Sequence, residues 1–436
     1  MDPEVIAALD SAIGRAMVAA LAGVDALAAR SELTRRFHTS DPELMRAAAA
    51  QAALVERATA RFGSLAPEIL WTGDGLEQAS RPSASRHRAR RLLDVGVASV
   101  ADLTTGVGLD ALAMAEAGLH VTAVEQDPHT AAAAAANARR LVPDRMRVVQ
   151  GSCLDASLLA RVGRRDAWFI DPSRRAGERS PHGRHRRLDD PDAWQPPWSW
   201  IVTQASLLGT ASGASEGSQP WLLMAKAAPG LPHESIESAP EATVGAEWVS
   251  ESGTLLECTV CWIAEGRVEP PPARSAVILD PTGAVLVRID SGAAPMRPAV
   301  APPAVGGYLH DPDPAVVRSG LVVDLATAAQ TAAAPVALVD PKLAYLTSPL
   351  PLPDGYAAAA RSWRVLSAGP YRPQQLRAEC ARHGIGRIDV TGRGRSLDPA
   401  RVRRDLRLPG GGRQGTLVVL GLGEARRTTV CLGLAA

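Results

Sequence analysis

The stretch Val100-Ala-Asp-Leu-Thr-Thr-Gly-Val-Gly-Leu-Asp110 constrains the fold of this chain more than any other. Apolar residues lead to Asp102, and Gly106 and Gly108 follow. Ala111–Ala117 then continues at helical spacing, so a buried strand runs through a tight turn into a helix. Such a corner offers free backbone N–H groups and a helix N-terminus to a ligand. The spacing Gly106-x-Gly108-x-x-Ala111 also meets the loose dinucleotide fingerprint, so the corner alone leaves its ligand open.

The corner sits in a longer alternating pattern. From Val97 to about Ala264, short apolar runs at Val100–Leu103, His120–Val124, Met146–Gln150, Ala167–Ile170 and Trp221–Ala225 alternate with helical segments such as Thr130–Leu141. That alternation predicts a parallel α/β sheet. Trp248–Ser252 and Leu255–Ile263 read as an antiparallel hairpin that closes it. Residues 1 to about 90 are helical in pattern, with Ser31 and Ser40-Asp-Pro as candidate helix starts. They end in the basic run Arg81–Arg91, read as a solvated helix face or, alternatively, a phosphate-contacting edge.

Gly209–Pro220 is rich in Ser, Gly and Ala and is expected to be a mobile loop. Val268-Glu-Pro-Pro-Pro272 is the clearest linker. Ser275–Ile289 follows as a hairpin around Pro281-Thr-Gly283, and Arg361–Leu434 has the mixed pattern of a small α+β module.

Composition narrows the class. At 436 residues the chain is too long for one ordinary core. A net charge of +1 removes any global basic field that would demand nucleic acid. Five cysteines, an odd number, argue against a disulfide framework and for a reducing compartment. No apolar run reaches the roughly 18–20 residues of a membrane span. The expectation is a soluble cytoplasmic protein with no membrane partner.

Acids at successive strand ends carry the chemistry. Asp102 closes the first strand ahead of the glycines, where it could accept a hydrogen bond from the α-amino group of S-adenosylmethionine (SAM). Glu125 closes the second strand at about the 20-residue offset from which an acid reaches ribose hydroxyls. Asp155, in Gly151-Ser-Cys-Leu-Asp155, follows the third strand and is expected to meet an adenine amino group. Thr104, Gly106, Gly108 and Asp110 complete the expected cofactor set.

The fourth strand ends in Phe169-Ile-Asp-Pro-Ser-Arg-Arg175, where many amino-group methyltransferases carry Asp/Asn-Pro-Pro-aromatic. Asp171, and carbonyls held by Pro172, could accept from an exocyclic amine and aim its lone pair at a methyl donor. Methyl transfer is an in-line displacement, so such placement supplies much of the rate. Ser173 and Arg174 replace the second Pro and the aromatic. A guanidinium can stack on a base or hold a phosphate, which assigns Arg174 and Arg175 to substrate. Lys226, after the fifth strand, is a candidate phosphate contact or a plain strand end.

Arg174–Arg187 with Trp194, Trp198 and Trp200 offers basic residues interleaved with aromatics, a pattern suited to single-stranded nucleic acid or to an ordinary tryptophan core. Cys258-x-x-Cys261 lies within one predicted strand, where its thiols face opposite ways, so no metal site is expected.

Together, Asp-Leu-Thr-Thr-Gly-Val-Gly-Leu-Asp110, Glu125, Asn137 and Asp-Pro-Ser-Arg-Arg175 resemble class I SAM-dependent methyltransferases. The resemblance is closer to the bacterial group with a C-terminal THUMP-like domain. It extends to Glu77-Gln-Ala-Ser80 through Arg88, Lys226-Ala-Ala-Pro229, Leu256-Glu-Cys258, Tyr308–Pro314, Ser319-Gly320, Tyr345–Ser348 and Arg361–Tyr371. Thr105 stands where that group has Gly, and Ser173 where it often has Ala.

The resemblance implies an α/β chain in four parts. These are a helical region over 1–90, a Rossmann-like methyltransferase domain over 91–266, a ferredoxin-like α+β domain over 273–355 and a THUMP-like domain over 361–434. It implies SAM as cofactor and RNA, tRNA or rRNA, as partner, methylated on an exocyclic base amine. The alternatives are a catalytically silent RNA-binding protein on the same scaffold, a methyltransferase for protein or small molecules, and a nicotinamide-dependent oxidoreductase. The last is permitted by the glycines but leaves Asp102 and Asp171 unexplained.

Overall fold

The computed structural model describes residues 3–37, 41–163, 165–179, 185–188, 190–208, 220–236, 242–292, 305–332, 334–393, 397–422 and 427–436. Contacts divide the chain into two compact units. The first comprises 1–246, 256–271 and 280–284; the second comprises 247–255, 272–279 and 285–436.

The first unit opens with helices Pro3–Asp10, Ala12–Ala20, Ala26–Phe37 and Pro42–Phe62. Ser31 lies inside the third of these rather than at its start. The fourth starts at Asp41, whose carboxylate accepts from the Glu43 and Leu44 amides, while Ser40 lies outside the described residues. Helices Gly73–Gln78 and Pro82–Asp94 then lead into the sheet.

Its strands are β1 (Ser99–Asp102), β2 (His120–Glu125), β3 (Met146–Gln150), β4 (Ala167–Ile170), β5 (Arg175–Arg179), β6 (His185–Arg187), β7 (Leu222–Ala227), β8 (Ala242–Glu251) and β9 (Thr254–Ala264). β5 and β6 pair only with each other. The central order is β9-β7-β4-β1-β2-β3. β3, β2, β1, β4 and β7 run parallel, and β9 lies antiparallel to β7. Strand order reverses between β1 and β4, the switch point at which open α/β sheets bind ligands beyond their carboxyl ends.

Asp102 pairs in register with Ala123 of β2 and Phe169 of β4, so the acid ends of three strands reach one edge. β1 and β4 are buried along nearly their whole length and carry almost no polar side chain before that edge, as a sheet covered on both faces requires. A core of Trp71, Leu92, Val100, Leu112, Met114 and Phe169 joins the preceding helices to the sheet.

The basic run Arg81–Arg91 is only in part the solvated helix face expected. It forms most of the helix Pro82–Asp94, and Ser83, Ala84, Ser85, His87, Arg88, Ala89 and Leu92 are all buried. Arg86 donates to the carbonyls of Thr282 and Pro281, and Arg90 to that of Gly283. A Cβ on Gly283 (φ 85°) would sit 2.6 Å from the Ser83 carbonyl. Arg86 and Arg90 thus stay exposed while bonding the carbonyls of a closely packed turn, and Arg88 is buried.

In the second unit, β10 (Arg274–Leu279) and β11 (Val285–Asp290) form the expected hairpin. The strands β12 (Tyr308–Pro312), β13 (Ala337–Asp340), β14 (Leu343–Ser348), β15 (Ala360–Pro370), β16 (Ile385–Arg393), β17 (Arg413–Leu422) and β18 (Arg427–Ala435) make one sheet, ordered β13-β14-β12-β15-β18-β17-β16. Helices Pro373–Arg382 and Pro399–Leu406 cover it with Leu376, Cys380, Val402 and Leu406. The expected division near residue 361 does not separate two bodies. β15 pairs with β12 on one side and with β18 on the other, so both segments share a sheet.

Among the described residues, no helix is long and apolar enough to cross a membrane.

Candidate active site

The corner after β1 is shaped by two glycines in left-handed backbone, Gly106 (φ 58°) and Gly108 (φ 98°). A Cβ on Gly106 would meet nothing within 4 Å, whereas one on Gly108 would lie 3.2 Å from the Met146 methyl. Gly106 keeps a cradle open, and Gly108 lets the turn approach β3. Asn137, fully buried, fixes the turn from behind. Its side-chain amide donates to the carbonyls of Val107 and Leu70, and its oxygen accepts from the Leu70 amide.

Outside the carboxyl ends of the strands lies a cavity of about 900 Å³. One wall is Leu103–Val107, Glu125–Asp127 and Gly151–Leu154; the others are Thr72–Ser80 and Asp192–Pro197. Asp74, Asp110, Glu125, Asp127, Asp171 and Asp192 line it, and among the described residues no lysine or arginine does. A cavity so charged favours a cation and repels a pyrophosphate.

The expected site residues divide as follows. Thr104, Gly106, Asp110, Glu125 and Asp171 line the cavity. The two Glu125 oxygens accept from the amides of Gly106 and Asp127, both at 2.9 Å, and burial raises its carboxyl above the usual range. Asp102 lies behind the wall and is fully buried. Its Oδ1 accepts from the Thr104 amide at 3.2 Å, while its Oδ2 has no partner among the described residues. Burial pushes its carboxyl up to about 8. The neighbouring Thr105 hydroxyl is likewise buried and unpartnered.

Asp155 stands outside the cavity lining. Its carboxylate caps the helix Ala156–Val162 by accepting from the Ser157 amide at 2.9 Å. Ser152, Cys153 and Leu154 occupy that wall in its place.

Asp171 anchors the opposite side, with its amide donating to the Thr104 hydroxyl at 2.7 Å. Pro172 is buried behind it, and Ser173 bridges Gln195 through two backbone hydrogen bonds of 2.8 and 3.0 Å. That bridge lays Asp192–Pro197 along the loop after β4. Trp194 and Trp198 are buried, edge to face at 5.9 Å, so they belong to the core rather than to an exposed stacking surface. Arg174 does not line the cavity. The Arg175 side chain, and the Arg/His-rich residues 180–184, lie outside the described residues, as does the loop 209–219.

Lys226 is not a surface phosphate contact. It is buried, and its ammonium donates to Asp171 Oδ2 at 2.5 Å and to the Ser80 hydroxyl at 2.9 Å. Ser80 and Ser85 also donate to Asp110, at 2.8 and 2.5 Å. Arg88, 1% exposed, bridges Asp110 and Glu257. Burial would raise the Asp110 carboxyl, but Arg88, Lys226 and the two hydroxyls outweigh it and hold it at about 2. For Asp171 burial prevails over Lys226, and its carboxyl stands above the usual range.

Sequence reasoning missed Ser80, Ser85, Arg88 and Glu257 as neighbours of the site. The stretch from Glu77 to Arg88 and the run Leu256–Cys258 were flagged only by family likeness, and that likeness was the available signal.

Comparison with known proteins agrees with this architecture. Residues 360–433 match a family model described as THUMP domain-like. Two curated relatives from Mycobacterium tuberculosis strains, both described as uncharacterized S-adenosylmethionine-dependent methyltransferases, are 29% identical over 363 residues. The match covers 82% of this chain and 87% of theirs. A solved structure of a candidate methyltransferase from Porphyromonas gingivalis W83 is similar over 99% of this chain and 98% of its own, with a TM-score of 0.74 and 18% identity. At that identity the likeness establishes the fold.

Proposed function

We propose that this chain, a SAM-dependent methyltransferase with a THUMP-like C-terminal domain, methylates an exocyclic amine of an RNA base, in tRNA or rRNA. The observation that carries the reading is the acid-lined cavity at the β1/β4 switch point, with Asp171 on its rim and, among the described residues, no lysine or arginine in its lining. SAM suits such a lining, because its sulfonium and α-ammonium are positive and its ribose is a pair of donors. The buried, unpartnered Asp102 Oδ2 and Thr105 hydroxyl supply polar capacity behind the same wall. When bound, SAM supplies an electrophilic methyl group.

The chain's own residues would then do the following. Gly106 keeps the backbone low enough for close approach, and Glu125 meets the ribose hydroxyls. Asp171 accepts from the substrate N–H and fixes its lone pair in line, an arrangement whose chief contribution is orientation. The amine nitrogen would gain a bond to the methyl carbon as that carbon's bond to sulfur breaks, with its electron pair left on a neutral thioether, and the nitrogen would give up a proton to the carboxylate or to water.

RNA as the acceptor is supported by the THUMP-like match, a domain type associated with RNA binding. A silent scaffold would have no need of Asp171 held against the cavity beside an open glycine cradle. The deciding measurement is mass spectrometry of tRNA and rRNA nucleosides from cells with and without the protein. One N-methylated nucleoside should vanish without it and return with the wild type but not with Asp171→Ala. An unchanged nucleoside profile would overturn the RNA assignment.

A further inference from the structure

The cavity edge is wired to a buried chain of alternating charge: Glu257, Arg88, Asp110, Lys226 and Asp171. Arg88 is 1% and Lys226 7% exposed, so neither is available to a polyanion in solvent. Three carboxylates against two cations leave one negative charge, and Asp171 is the member beside Lys226 that lines the cavity. Buried ion pairs are weak evidence for stability, because desolvation offsets their attraction. A network that ends on a site residue invites a different explanation.

Geometry supplies it. Lys226 donates to Asp171 at Oδ2, which fixes how that carboxylate is turned at the cavity edge. Its other partner, Ser80, comes from the segment before the sheet and also donates to Asp110. The Lys226 ammonium is thereby held between Asp171 and Ser80, and Ser80 ties it on to Asp110.

We infer that Lys226 is a positioning residue for methyl transfer, which fixes Asp171 to receive the substrate amine, and that Ser80 and Asp110 hold Lys226 in that place. The inference rests on the proposed function, and it makes the segment before the sheet part of the active site. Asp171 is faced by Lys226 from β7, by Asp110 from the helix after β1, by Asp102 from β1 and by Arg174 from its own loop. Lys226 is the closest of these cations, so its removal should raise the Asp171 carboxyl.

The test uses the full chain with Lys226→Met, Lys226→Arg and Ser80→Ala. For Lys226→Met, kcat on the RNA should fall at least about tenfold, the scale of losing one preorganised contact. KM for RNA and the calorimetric Kd for SAM should stay within about threefold, and the acid limb of the rate profile should move to higher pH. Lys226→Arg should recover part of kcat, and Ser80→Ala should lose less than Lys226→Met.

A second readout needs no substrate. Carbodiimide labelling of Asp171, followed by peptide mass spectrometry across pH, reports when its carboxyl is protonated. The labelling midpoint should rise in Lys226→Met, and Ser80→Ala should shift it the same way by less. An unmoved midpoint, or a raised KM with kcat intact as a phosphate contact would give, overturns the inference. If the wild type methylates no RNA yet the midpoint still moves, the RNA reading fails while the positioning of Asp171 stands. Should Lys226→Met not fold, Lys226→Arg and Ser80→Ala carry the same test.

Discussion

Asp102 and Asp110 are buried carboxyls eight residues apart in one corner, and their surroundings push them in opposite directions. Asp110 meets two cations and two hydroxyls; Asp102 accepts from one backbone amide, is deeply buried, and lies near Thr105 and two other carboxylates with no cation among the described residues acting on it. The consequences for stability have opposite signs. A carboxyl held near 2 stabilises the fold above the ordinary unfolded value near 4, and that contribution is lost as pH falls through 2. A carboxyl raised to about 8 binds its proton more tightly when folded, so its contribution is full at acid pH and is lost as pH climbs from about 4 toward 8. Asp102→Asn removes that second loss. The melting temperature of the variant should match the wild type near pH 4 and exceed it by a few degrees at pH 8 and above, about 1–2 kcal/mol of stability. Parallel curves across that range would show that Asp102 ionises freely. The alternation of apolar and acidic residues revealed where these acids stand, but not their charge state, which depends on Arg88 and Lys226 arriving from distant parts of the chain.

At the scale of elements, the strand–turn–helix corner and the helix Pro82–Asp94 differ in how far sequence could reach. The corner is local: its glycines, its apolar lead and its acid lie within a few residues, so its shape was legible. Its two glycines should separate experimentally. Gly106→Ala adds a methyl to open cradle space at a left-handed φ, costing about 1–2 kcal/mol of stability while weakening SAM binding well beyond tenfold. Gly108→Ala adds a similar backbone cost and a contact with Met146, so its effect should appear chiefly in unfolding rather than in SAM affinity. Denaturant midpoints and calorimetry on both variants decide this, and equal losses in both measurements would argue against the division. The helix Pro82–Asp94 was misread because arginine is ordinarily a surface residue, and its partners, Glu257 and the turn at Gly283, lie far along the chain. Arg88→Met should destabilise by about 3–5 kcal/mol by stranding two buried carboxylates, while Arg86→Ala, exposed and bonded only to carbonyls, should cost about 1 kcal/mol or less.

For the whole molecule, the alternation of strands and helices made the first unit readable, because parallel sheets write continuous apolar runs separated by helices. The second unit was harder. Its sheet is assembled from strands distant in sequence, and β15 pairs on both sides with strands that lie before and after it, so the segments read as 273–355 and 361–434 share one sheet. Charge is divided just as unevenly. Among the described residues the cavity of the first unit is lined by six carboxylates and no lysine or arginine, a lining that disfavours a polyanion. If RNA is the acceptor as proposed, its affinity would come from elsewhere, and the THUMP-like segment carries exposed cations on the helix Pro399–Leu406. Arg401 and Arg404 are 67% and 71% exposed in their side chains, and Arg403 is exposed beside them. Each phosphate contact adds about 0.7–0.9 to the slope of log affinity against log salt. Replacing Arg403 and Arg404 together by Gln should therefore reduce the magnitude of that slope by roughly 1.5. KM for RNA should rise, whereas kcat and the Kd for SAM should stay as in the wild type. A fall in kcat at unchanged salt dependence would mean that these arginines act on the fold rather than on phosphate, and the source of RNA affinity would have to be sought among the remaining basic residues.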